Sequence, residues 1–463
     1  MFISCIIALA SVMSAVQDAN RPADFGKQWV RSHPITITSL IMMDDTFDAN
    51  VYASAGMNTV LVWKGRENIF AKTAAKDLPW FYRPLPKYNE ANHPDTINPL
   101  TPERMEASLQ FYKKYPRCQG FIVMDEPRHV HFNGLAKAMQ WYKTQFPQEL
   151  ILANVYMAGK DPGAYYQSPK DANGQYLSPP VKYEYEDYLR EYLQMCRPDV
   201  LMTDVYPFAD YDGCDDTAYI HSKYFRTLEM IRKMALEQGV PYWTFIQAFE
   251  HKGNWYYPSE SNVRMQVFSS LAYGFTGLAY FHYYTPTEES LVNDDSSPKP
   301  LLKDITVINR EVSNLGKTLV FLKSEKVFYI PGTQYMSGKN NGNPIPEMVA
   351  KIEVEKLKRW GISDIKVQGI SEKKNGLIGL FTDDNGGLYF MLVNLRNYRG
   401  VGADQLPGEF VIKLNPSVRN IFKLSRESGK IEEAKLDSGS LNVVLPGGTG
   451  DLFKINDANF AGI

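Results

Sequence analysis

The stretch GFIVMDEP (residues 120–127) decides the fold class of this chain. It is a continuous apolar run, typical of a strand buried on both faces, and it ends in two carboxylates, Asp125 and Glu126. Pro127 follows at once and ends the strand because proline lacks a backbone donor. A second stretch of this kind, PYWTFIQAFEH (241–251), carries Glu250 near its end. Both patterns predict parallel strands with chemistry at their C-terminal tips.

Outward from these two stretches, the chain alternates between short apolar runs and amphipathic helices. We expect eight strands within ITITSLIMMDD (35–45), MNTVLVWKG (57–65), LPWFYRPLP (78–86), QGFIVMDEP (119–127), LILANVYM (150–157), DVLMTDVYPF (199–208), VPYWTFIQAFEH (240–251) and TGLAYFHYYT (276–285). Eight βα units over roughly 290 residues predict an α/β fold, the (β/α)8 or TIM barrel. A doubly wound open sheet is the alternative, but it usually has a glycine-rich phosphate turn after its first strand, and none follows here.

After about residue 324 the segments become short, alternating and punctuated by turns. The DNGG sequence (384–387) between two alternating runs predicts a hairpin. This pattern predicts a C-terminal all-β sandwich at 324–463, after the barrel at 20–323. Residues 1–19 are predicted to be a signal peptide. The segment KIEVEKLKRWG (351–361) fits either a helix or a loop insertion.

The N-terminal segment FISCIIALASVMSA (2–15) is apolar and then rich in small residues. It resembles a secretory signal, with a cleavage site at Ala8–Ala10 or after Ala15, although the usual basic start is missing. An N-terminal helix is the alternative reading. A signal implies a secreted or periplasmic protein. No later run of about 18 apolar residues predicts a transmembrane helix.

Composition narrows the classes of partner. The net charge of −2 argues against binding of nucleic acid or an anionic membrane surface. The 29 tyrosines and 7 tryptophans suit either a large aromatic core or stacking platforms for sugars. Cys118, Cys196 and Cys214 form no Cys-x-x-Cys pair, so neither a zinc site nor a disulfide framework is indicated. Buried free thiols are expected, with a Cys196–Cys214 bridge as the alternative, and no metal or cofactor is expected.

The alternation of a strand predicts where the carboxylate at the end of the fourth strand points. Gly120, Ile122, Met124 and Glu126 share one face, and their size suits the barrel interior, so Glu126 should point into the barrel mouth. The alternative is structural, with Asp125 or Glu126 capping the next helix or pairing with Arg128.

The seventh strand is interpreted in the same way. Thr244, Ile246, Ala248 and Glu250 share one parity, and the bulky residues between them suit the helix-facing side. Glu250 should therefore also point inward. The alternative is an exposed loop glutamate just past the strand, and the rival acids nearby are Glu260, Glu288 and Glu289.

Two carboxylates at one barrel mouth suit cleavage of a glycosidic bond. One acid protonates the leaving oxygen, and one carboxylate attacks or stabilises the anomeric carbon. The acid needs a raised pKa, which burial or a nearby negative charge supplies. Tyr206, at the end of the sixth strand, is a candidate hydrogen-bond donor to Glu250, with simple packing as the alternative.

Other polar and aromatic residues at strand ends suggest a cleft for a hydroxyl-rich ligand. The candidate substrate-binding residues are Asp125, Asp44, Trp63, Arg83, Asn154, Tyr156, Asp204, Tyr206, Gln247, Trp255, His282 and Tyr284.

The Asp-Glu-Pro at 125–127 resembles the Asn-Glu-Pro motif of clan A retaining glycoside hydrolases. LAYGFTGLAYFHYYTP (271–286) is similar to the seventh helix and eighth strand of barrels distantly related to family 42 β-galactosidases, and LPGGTGDLFKI (445–455) to the sandwich strands that follow such barrels. The resemblance implies a carbohydrate substrate, Glu126 as acid/base and Glu250 as nucleophile. Related barrels often self-associate, so a homo-oligomer stays open.

The chain departs from the clan pattern at two places. Asp125 replaces the usual asparagine, so it can accept from a sugar hydroxyl but cannot donate, and its charge would raise the pKa of Glu126. His282–Tyr283 stand where many members have tryptophan. Two other functions therefore stay open. One is a non-catalytic carbohydrate-binding barrel. The other is a metal-dependent barrel hydrolase that uses His129 and His131.

Overall fold

The structure, a computed structural model, describes residues 21–63, 65–84, 101–166, 168, 170–171, 173–209, 223–330, 350–368 and 375–463. Eight parallel strands close into a barrel in the order β1 to β8. They span β1 Thr36–Ile41, β2 Val60–Trp63, β3 Trp80–Arg83, β4 Cys118–Asp125, β5 Leu150–Val155, β6 Leu201–Asp204, β7 Tyr242–Gln247 and β8 Gly277–Tyr284. Seven lie within the predicted stretches and β4 begins one residue before its stretch, so the predicted barrel is confirmed.

Helices alternate with these strands and pack around the barrel. In chain order they are α1 Phe25–Ser32, α2 Ala49–Ser54, α3 Phe70–Ala75, α4 Pro102–Lys114, α5 Phe132–Gln145, α6 Pro162–Tyr166, α7 Tyr185–Cys196, α8 Lys223–Gln238, α9 Glu260–Tyr273 and α10 Pro300–Leu319. The predicted start of α4 is confirmed: Pro102 is its first residue, and the Thr101 hydroxyl accepts from the Arg104 backbone N–H at 3.4 Å.

The C-terminal part is an all-β unit of two sheets. Its strands are β9 Lys323–Ile330, β10 Ala350–Lys351, β11 Ile362–Gln368, β12 Gly376–Thr382, β13 Leu388–Asn394, β14 Gly408–Leu414, β15 Ile421–Leu424, β16 Ile431–Ala434, β17 Leu436–Asp437, β18 Ser440–Leu445 and β19 Gly450–Ile455, with a short helix, α11 Val354–Leu357, after β10. Seven strands pair in the order β10-β9-β12-β13-β19-β15-β16, and four pair as β11-β14-β18-β17.

The two sheets enclose one apolar cluster. Phe328 and Phe390 reach it from the seven-stranded sheet, and Phe410 and Ile412 reach it from the four-stranded sheet. The predicted hairpin is confirmed, because β12 and β13 pair antiparallel across the turn that contains Gly386. The two-layer arrangement follows from the alternation of each strand, which gives each sheet an apolar inner face.

The outer face of the seven-stranded sheet packs on the barrel through α9. Every residue of α9 after Glu260 is buried. The sheet approaches the helix so closely that a Cβ on Gly379 would lie 2.1 Å from the Ala272 carbonyl oxygen. Only glycine permits this contact, so the barrel and the β unit share a continuous core.

Buried charges also cross this contact. The Glu311 carboxylate on α10 lies 2.6 Å from Nη1 of Arg264 on α9 and 3.6 Å from Nε of Arg426 in the β unit. Arg426 in turn pairs with Asp451, and Arg264 pairs with Glu260 at 2.7 Å. The network therefore ties the barrel to the sheets through ions that have little access to water.

Several sequence predictions concern residues that the structure does not describe. The proposed signal at 1–19 and Cys214 both lie outside the described residues. Of the described cysteines, Cys118 and Cys196 are free thiols. A search of the described helices finds none with the length and apolar character needed to cross a bilayer.

Candidate active site

The direction in which the barrel residues point follows from one contact across the interior. Phe81 on β3 and Trp243 on β7 meet edge to face, with ring centroids 5.7 Å apart. These strands lie on opposite sides of the closed barrel, so both rings must point inward. Residues paired across parallel strands share a face. Phe81 pairs with Gly120, and Trp243 pairs with Met202 and Gly277, which places all of these positions on the inner face.

The predicted orientation of β7 is therefore wrong. Trp243 and Phe245 point into the barrel, and Thr244 and Ile246 point toward the helices. The bulky residues fit inside because their neighbours are small: a Cβ on Gly277 would lie 2.4 Å from the Trp243 ring. Large and small residues thus complement each other in volume across the barrel.

The predicted alternation of β4 is also interrupted, by a bulge. Ile122 pairs with Leu152 on β5, but Asp125 pairs with Asn154, so three steps on β4 match two on β5. The extra residue reverses the alternation and turns Asp125, not Glu126, onto the inner face. Glu126 then leaves the strand with a left-handed φ of 45°, and its backbone N–H donates to the Asn154 carbonyl at 2.7 Å.

At the C-terminal ends of β4, β5 and β6, an amide joins two carboxylates. Nδ2 of Asn154 donates to Oδ1 of Asp125 at 2.9 Å and to Oδ1 of Asp204 at 3.2 Å. Arg83, from β3, lies 3.4 Å from Oδ2 of Asp125. Its guanidinium lies over the Trp63 ring, 4.0 Å from the centroid. Five predicted substrate-binding residues therefore form one cluster at the barrel mouth.

Glu126 lies beside this cluster and faces a cation. Its Oε1 is 3.6 Å from Nζ of Lys160, in the loop after β5, and its side chain is 34% exposed. Burial raises the pKa of Glu126 to about 6; the Lys160 ammonium opposes this shift, and the Asp125 charge adds to it. Glu126 can therefore change its protonation state close to neutral pH.

Asp204, at the end of β6, has the neutral Asn154 amide as its hydrogen-bond donor among the described residues. Burial raises the pKa of Asp204 well above its ordinary value, and the charges of Glu126 and Asp125 raise it further. Lys160 and the Asn154 hydrogen bond oppose these effects only in part. Arg83 contacts Asp125 and Lys160 contacts Glu126, so neither contact directly offsets the burial of Asp204, and the neutral form of Asp204 is favoured.

Aromatic rings form one wall beside the carboxylates. Tyr206, two residues past β6, stacks on Phe281 with centroids 5.5 Å apart and meets Phe249 edge to face at 5.0 Å. Trp255 lies at 6.2 Å from Tyr206. Burial raises the pKa of the Tyr206 hydroxyl, and the charge of Asp204 contributes further. Tyr206 is therefore a neutral neighbour of the β4–β6 carboxylates.

Tyr156 contacts both Lys160 and Arg128. Lys160 Nζ lies 4.4 Å above the Tyr156 ring, and Arg128 Nε donates to the Tyr156 hydroxyl at 3.2 Å. Arg128 also donates to the Tyr176 hydroxyl at 2.7 Å. Arg128 acts on Glu126 only as a weak charge that lowers its pKa.

Glu250 lies three residues past the end of β7 and is half-buried. Its backbone N–H donates to the Glu289 carbonyl at 3.3 Å. Within the described ranges, its carboxylate makes no hydrogen bond or ion pair. The structure therefore gives Glu250 none of the donors that hold Asp125, Glu126 and Asp204, and its catalytic role stays a prediction.

The rival acids have partners of their own. Glu260 pairs with Arg264 and accepts from the Ala403 backbone N–H at 3.0 Å, and Glu289 pairs with Lys299 at 2.8 Å. Glu288 lies between His282, at 3.2 Å, and His251. Glu260 and Glu289 are thus held in ion pairs, and Glu288 is held between two histidine rings.

Four of the predicted substrate-binding residues are engaged elsewhere. Asp44 is exposed and pairs with Arg66. Gln247 is buried, with its amide bonded to the backbone of Phe208 and Tyr256. His282 contacts Glu288, and the Tyr284 hydroxyl donates to Asp294 at 3.1 Å. These side chains support the rim of the barrel in this structure.

The two histidines of the metal alternative are also accounted for. His129 pairs with Glu191 at 2.8 Å and stacks on Tyr166, while His131 accepts from the Arg128 backbone N–H at 3.0 Å. The part of the chain that the structure describes contains no group of three or more His, Cys, Asp or Glu side chains arranged to hold a metal ion.

Ionisation of Glu126 should make the fold less stable. Its pKa rises from 4.5 to about 6 on folding, so the charged form is disfavoured in the native state. That cost is absent below pH 4.5 and complete above about pH 6. We expect Glu126→Gln to melt at a higher temperature than the wild type at pH 7.5, with the difference vanishing at pH 4. Thermal melts across this range check it, and a difference that is larger in acid would contradict it.

Comparisons with known proteins give likeness of architecture only. No protein-family model matches the chain, and no curated protein matches it in sequence. Among solved structures, α-galactosidase I from Mortierella vinacea is 9% identical, with a TM-score of 0.43, covering 95% of this chain and 93% of its own. The endo-β-1,4-mannanase from Thermotoga petrophila is 10% identical, with a TM-score of 0.38, covering 78% and 95%.

A third structure, an endo-β-1,3-glucanase from Sorangium cellulosum, is 13% identical, with a TM-score of 0.36, and covers 58% of this chain and 97% of its own. These superpositions are loose. The function of this chain must therefore be argued from its own site.

Proposed function

We propose that this protein is a secreted, retaining β-glycoside hydrolase that acts through the carboxylates at the ends of β4 and β6. The observation that carries the proposal is the pair Asp125 and Asp204, joined by the Asn154 amide, with Glu126 and Lys160 beside it at the C-terminal mouth of the barrel. This face is where barrels of this type place catalytic groups. Glycoside cleavage needs one neutral and one ionised carboxyl group, and this cluster supplies both.

The same site has unused hydrogen-bonding groups for a sugar. Arg83 is 4% exposed and Asn154 is 3% exposed. Nε and Nη1 of Arg83 and Oδ1 of Asn154 have no hydrogen-bond partner among the described residues. Buried polar atoms normally find partners, so these atoms suit the hydroxyl groups of a ligand.

Aromatic faces lie on both sides of these polar groups. Trp63 lies under Arg83, and the Tyr206–Phe281 pair forms the wall next to β6. Sugar rings present apolar C–H faces that pack well on aromatic rings, and their hydroxyl groups seek charged and amide partners. A carbohydrate is therefore the substrate that this mixed lining favours.

The retaining outcome, the β configuration and secretion come from the resemblance and from the N-terminal segment. Retention requires the two carboxyl groups to lie about 5–5.5 Å apart. The resemblance names Glu250 as the second carboxylate, and this assignment stays a rival to the one developed below.

A screen of aryl glycosides and polysaccharides tests the proposed function. We expect the purified protein to release product from at least one β-glycoside and Glu126→Gln to release none above background. Proton NMR of the first product formed should show the β anomer. Binding of oligosaccharides without any turnover would overturn the proposal and favour a non-catalytic carbohydrate-binding barrel.

A further inference from the structure

We propose that Asp204 is the general acid of the site and that Glu126 is its ionised partner, in place of the pair Glu126 and Glu250. This inference rests on the proposed glycoside hydrolysis. It gives Asp204, at the end of β6, a catalytic role, whereas the sequence predicted Asp204 only as a substrate-binding residue.

The carboxylates at the ends of β4 and β6 lie close together. One nitrogen, Nδ2 of Asn154, lies 2.9 Å from Oδ1 of Asp125 and 3.2 Å from Oδ1 of Asp204, so these oxygens are at most 6.1 Å apart. The ends of β4 and β6 therefore converge over β5, and Glu126 is the residue that follows Asp125 on β4. Among the charged groups that act on Asp204, Glu126 has the largest effect.

The cations of the site contact Glu126 and Asp125 rather than Asp204. Glu126 has the Lys160 ammonium 3.6 Å away, and Asp125 has the Arg83 guanidinium 3.4 Å away. Asp204 accepts only from the neutral Asn154 amide among the described residues. A proton shared among three neighbouring carboxyl groups is held best by the one without a cation in contact. The contacts therefore suit Asp204 as the proton donor and Glu126, beside Lys160, as the anion.

Two tyrosines near Asp204 do not offset the effect of burial on its pKa. Tyr206 and Tyr185 both have pKa values raised well above the ordinary value, mainly by burial and partly by the Asp204 charge. Both hydroxyls therefore remain neutral and bring no positive charge to Asp204. Lys160 is the cation that acts on it, and its contact is with Glu126.

The reaction follows from these positions. The O–H bond of Asp204 breaks, and its proton moves to the glycosidic oxygen. The bond between that oxygen and the anomeric carbon breaks with its electron pair going to the oxygen, while a carboxylate oxygen of Glu126 bonds to the anomeric carbon. Water then attacks that carbon, the Asp204 carboxylate takes a proton from the water, and Glu126 leaves as a carboxylate. Asp125, held by Arg83 and Asn154, is left to accept from a sugar hydroxyl.

The test compares two leaving groups on the same sugar. A 2,4-dinitrophenolate leaves without protonation, whereas an alkoxide does not. We expect Asp204→Asn to lose about 10²–10⁴-fold in kcat/KM on the alkyl glycoside, and far less on the dinitrophenyl glycoside, because only the former needs the acid. Glu126→Gln should lose activity on both, and Glu250→Gln on neither. Equal losses of Asp204→Asn on both substrates would overturn the assignment. So would the leaving-group pattern in Glu126→Gln together with a loss on both substrates in Glu250→Gln.

A second readout does not depend on turnover. At pH 7, the infrared spectra of the wild type and of Glu126→Gln should contain the C=O stretching band of a neutral buried carboxyl group. The difference spectrum between the wild type and Asp204→Asn should show that this band is lost in the variant. If the wild type cleaves no glycoside, the proposed function fails, yet this band still decides whether Asp204 holds a proton. If Asp204→Asn does not fold, the wild type and Glu126→Gln suffice, because absence of the band in both would overturn the proposal.

Discussion

Glu126→Gln is expected to lower kcat/KM on the best glycoside by at least about 10²–10⁴-fold, the contribution of a positioned acid, base or nucleophile. Glutamine keeps the shape of the side chain but cannot bond to the anomeric carbon as a carboxylate. The lost interaction exists in the transition state, so kcat should fall with kcat/KM while KM changes little. Steady-state kinetics on purified, folded protein measure this effect.

Glu250→Gln is the matched control for that loss. It is the same chemical change at a half-buried residue whose carboxylate lacks an ion pair within the described residues. We expect its kcat/KM to stay within a few-fold of the wild type. Comparable losses of kcat/KM in Glu126→Gln and Glu250→Gln would show that Glu250 is the second catalytic residue. A loss in Glu250→Gln alone would refute the site proposed here.

Glu311→Ala is expected to destabilise the protein by about 3 kcal/mol, near the lower limit for breaking a buried ion pair. The Glu311 side chain is 5% exposed and lies between Arg264 and Arg426. Its removal leaves both guanidinium groups buried with one fewer anion. The loss should be at the lower limit because each arginine keeps another carboxylate, Glu260 or Asp451. Urea denaturation followed by tryptophan fluorescence gives the free energy of unfolding.

An exposed ion pair is the control for Glu311. Glu353 pairs with Lys356 at 3.0 Å, but its side chain is 52% exposed. Glu353→Ala should therefore change the free energy of unfolding by no more than about 1 kcal/mol. If Glu311→Ala costs no more than this control, the charges between the barrel and the β unit do not hold the two together.

Much of the fold could be predicted because buried parallel strands leave a strong pattern. The run GFIVMD and the seven others are mostly apolar, and the barrel strands occur where these runs occur. The α4 start was predictable from Thr101 and Pro102, since their capping chemistry is local. The DNGG turn was predictable for the same reason.

The orientation of side chains was harder to predict because it depends on distant neighbours. The bulge between Ile122 and Asp125 has no local signal in the sequence, yet it decides which acid points inward. Trp243 points inward because Gly277 on the next strand leaves room for it, a pairing that no single stretch reveals. Asp204 was found as a strand-end acid, but its partners Asn154 and Glu126 come together only in the closed barrel.

Lys160 was missed altogether. It lies in the AGKDPG loop after β5, where a lysine is ordinarily a solvated side chain. Its contact with Glu126 depends on how that loop folds back over the barrel mouth. The candidate predicted at this strand end is Tyr156, and Lys160 lies four residues beyond it.

Trapping of a covalent intermediate tests the account most directly. A 2-deoxy-2-fluoro glycoside with a dinitrophenyl leaving group, in the configuration that the wild type cleaves, should label the protein once. Mass spectrometry of a digest should then place the sugar on Glu126. A label on the peptide that carries Glu250, or turnover of the parent glycoside with no label at all, would contradict the proposed pair of Glu126 and Asp204.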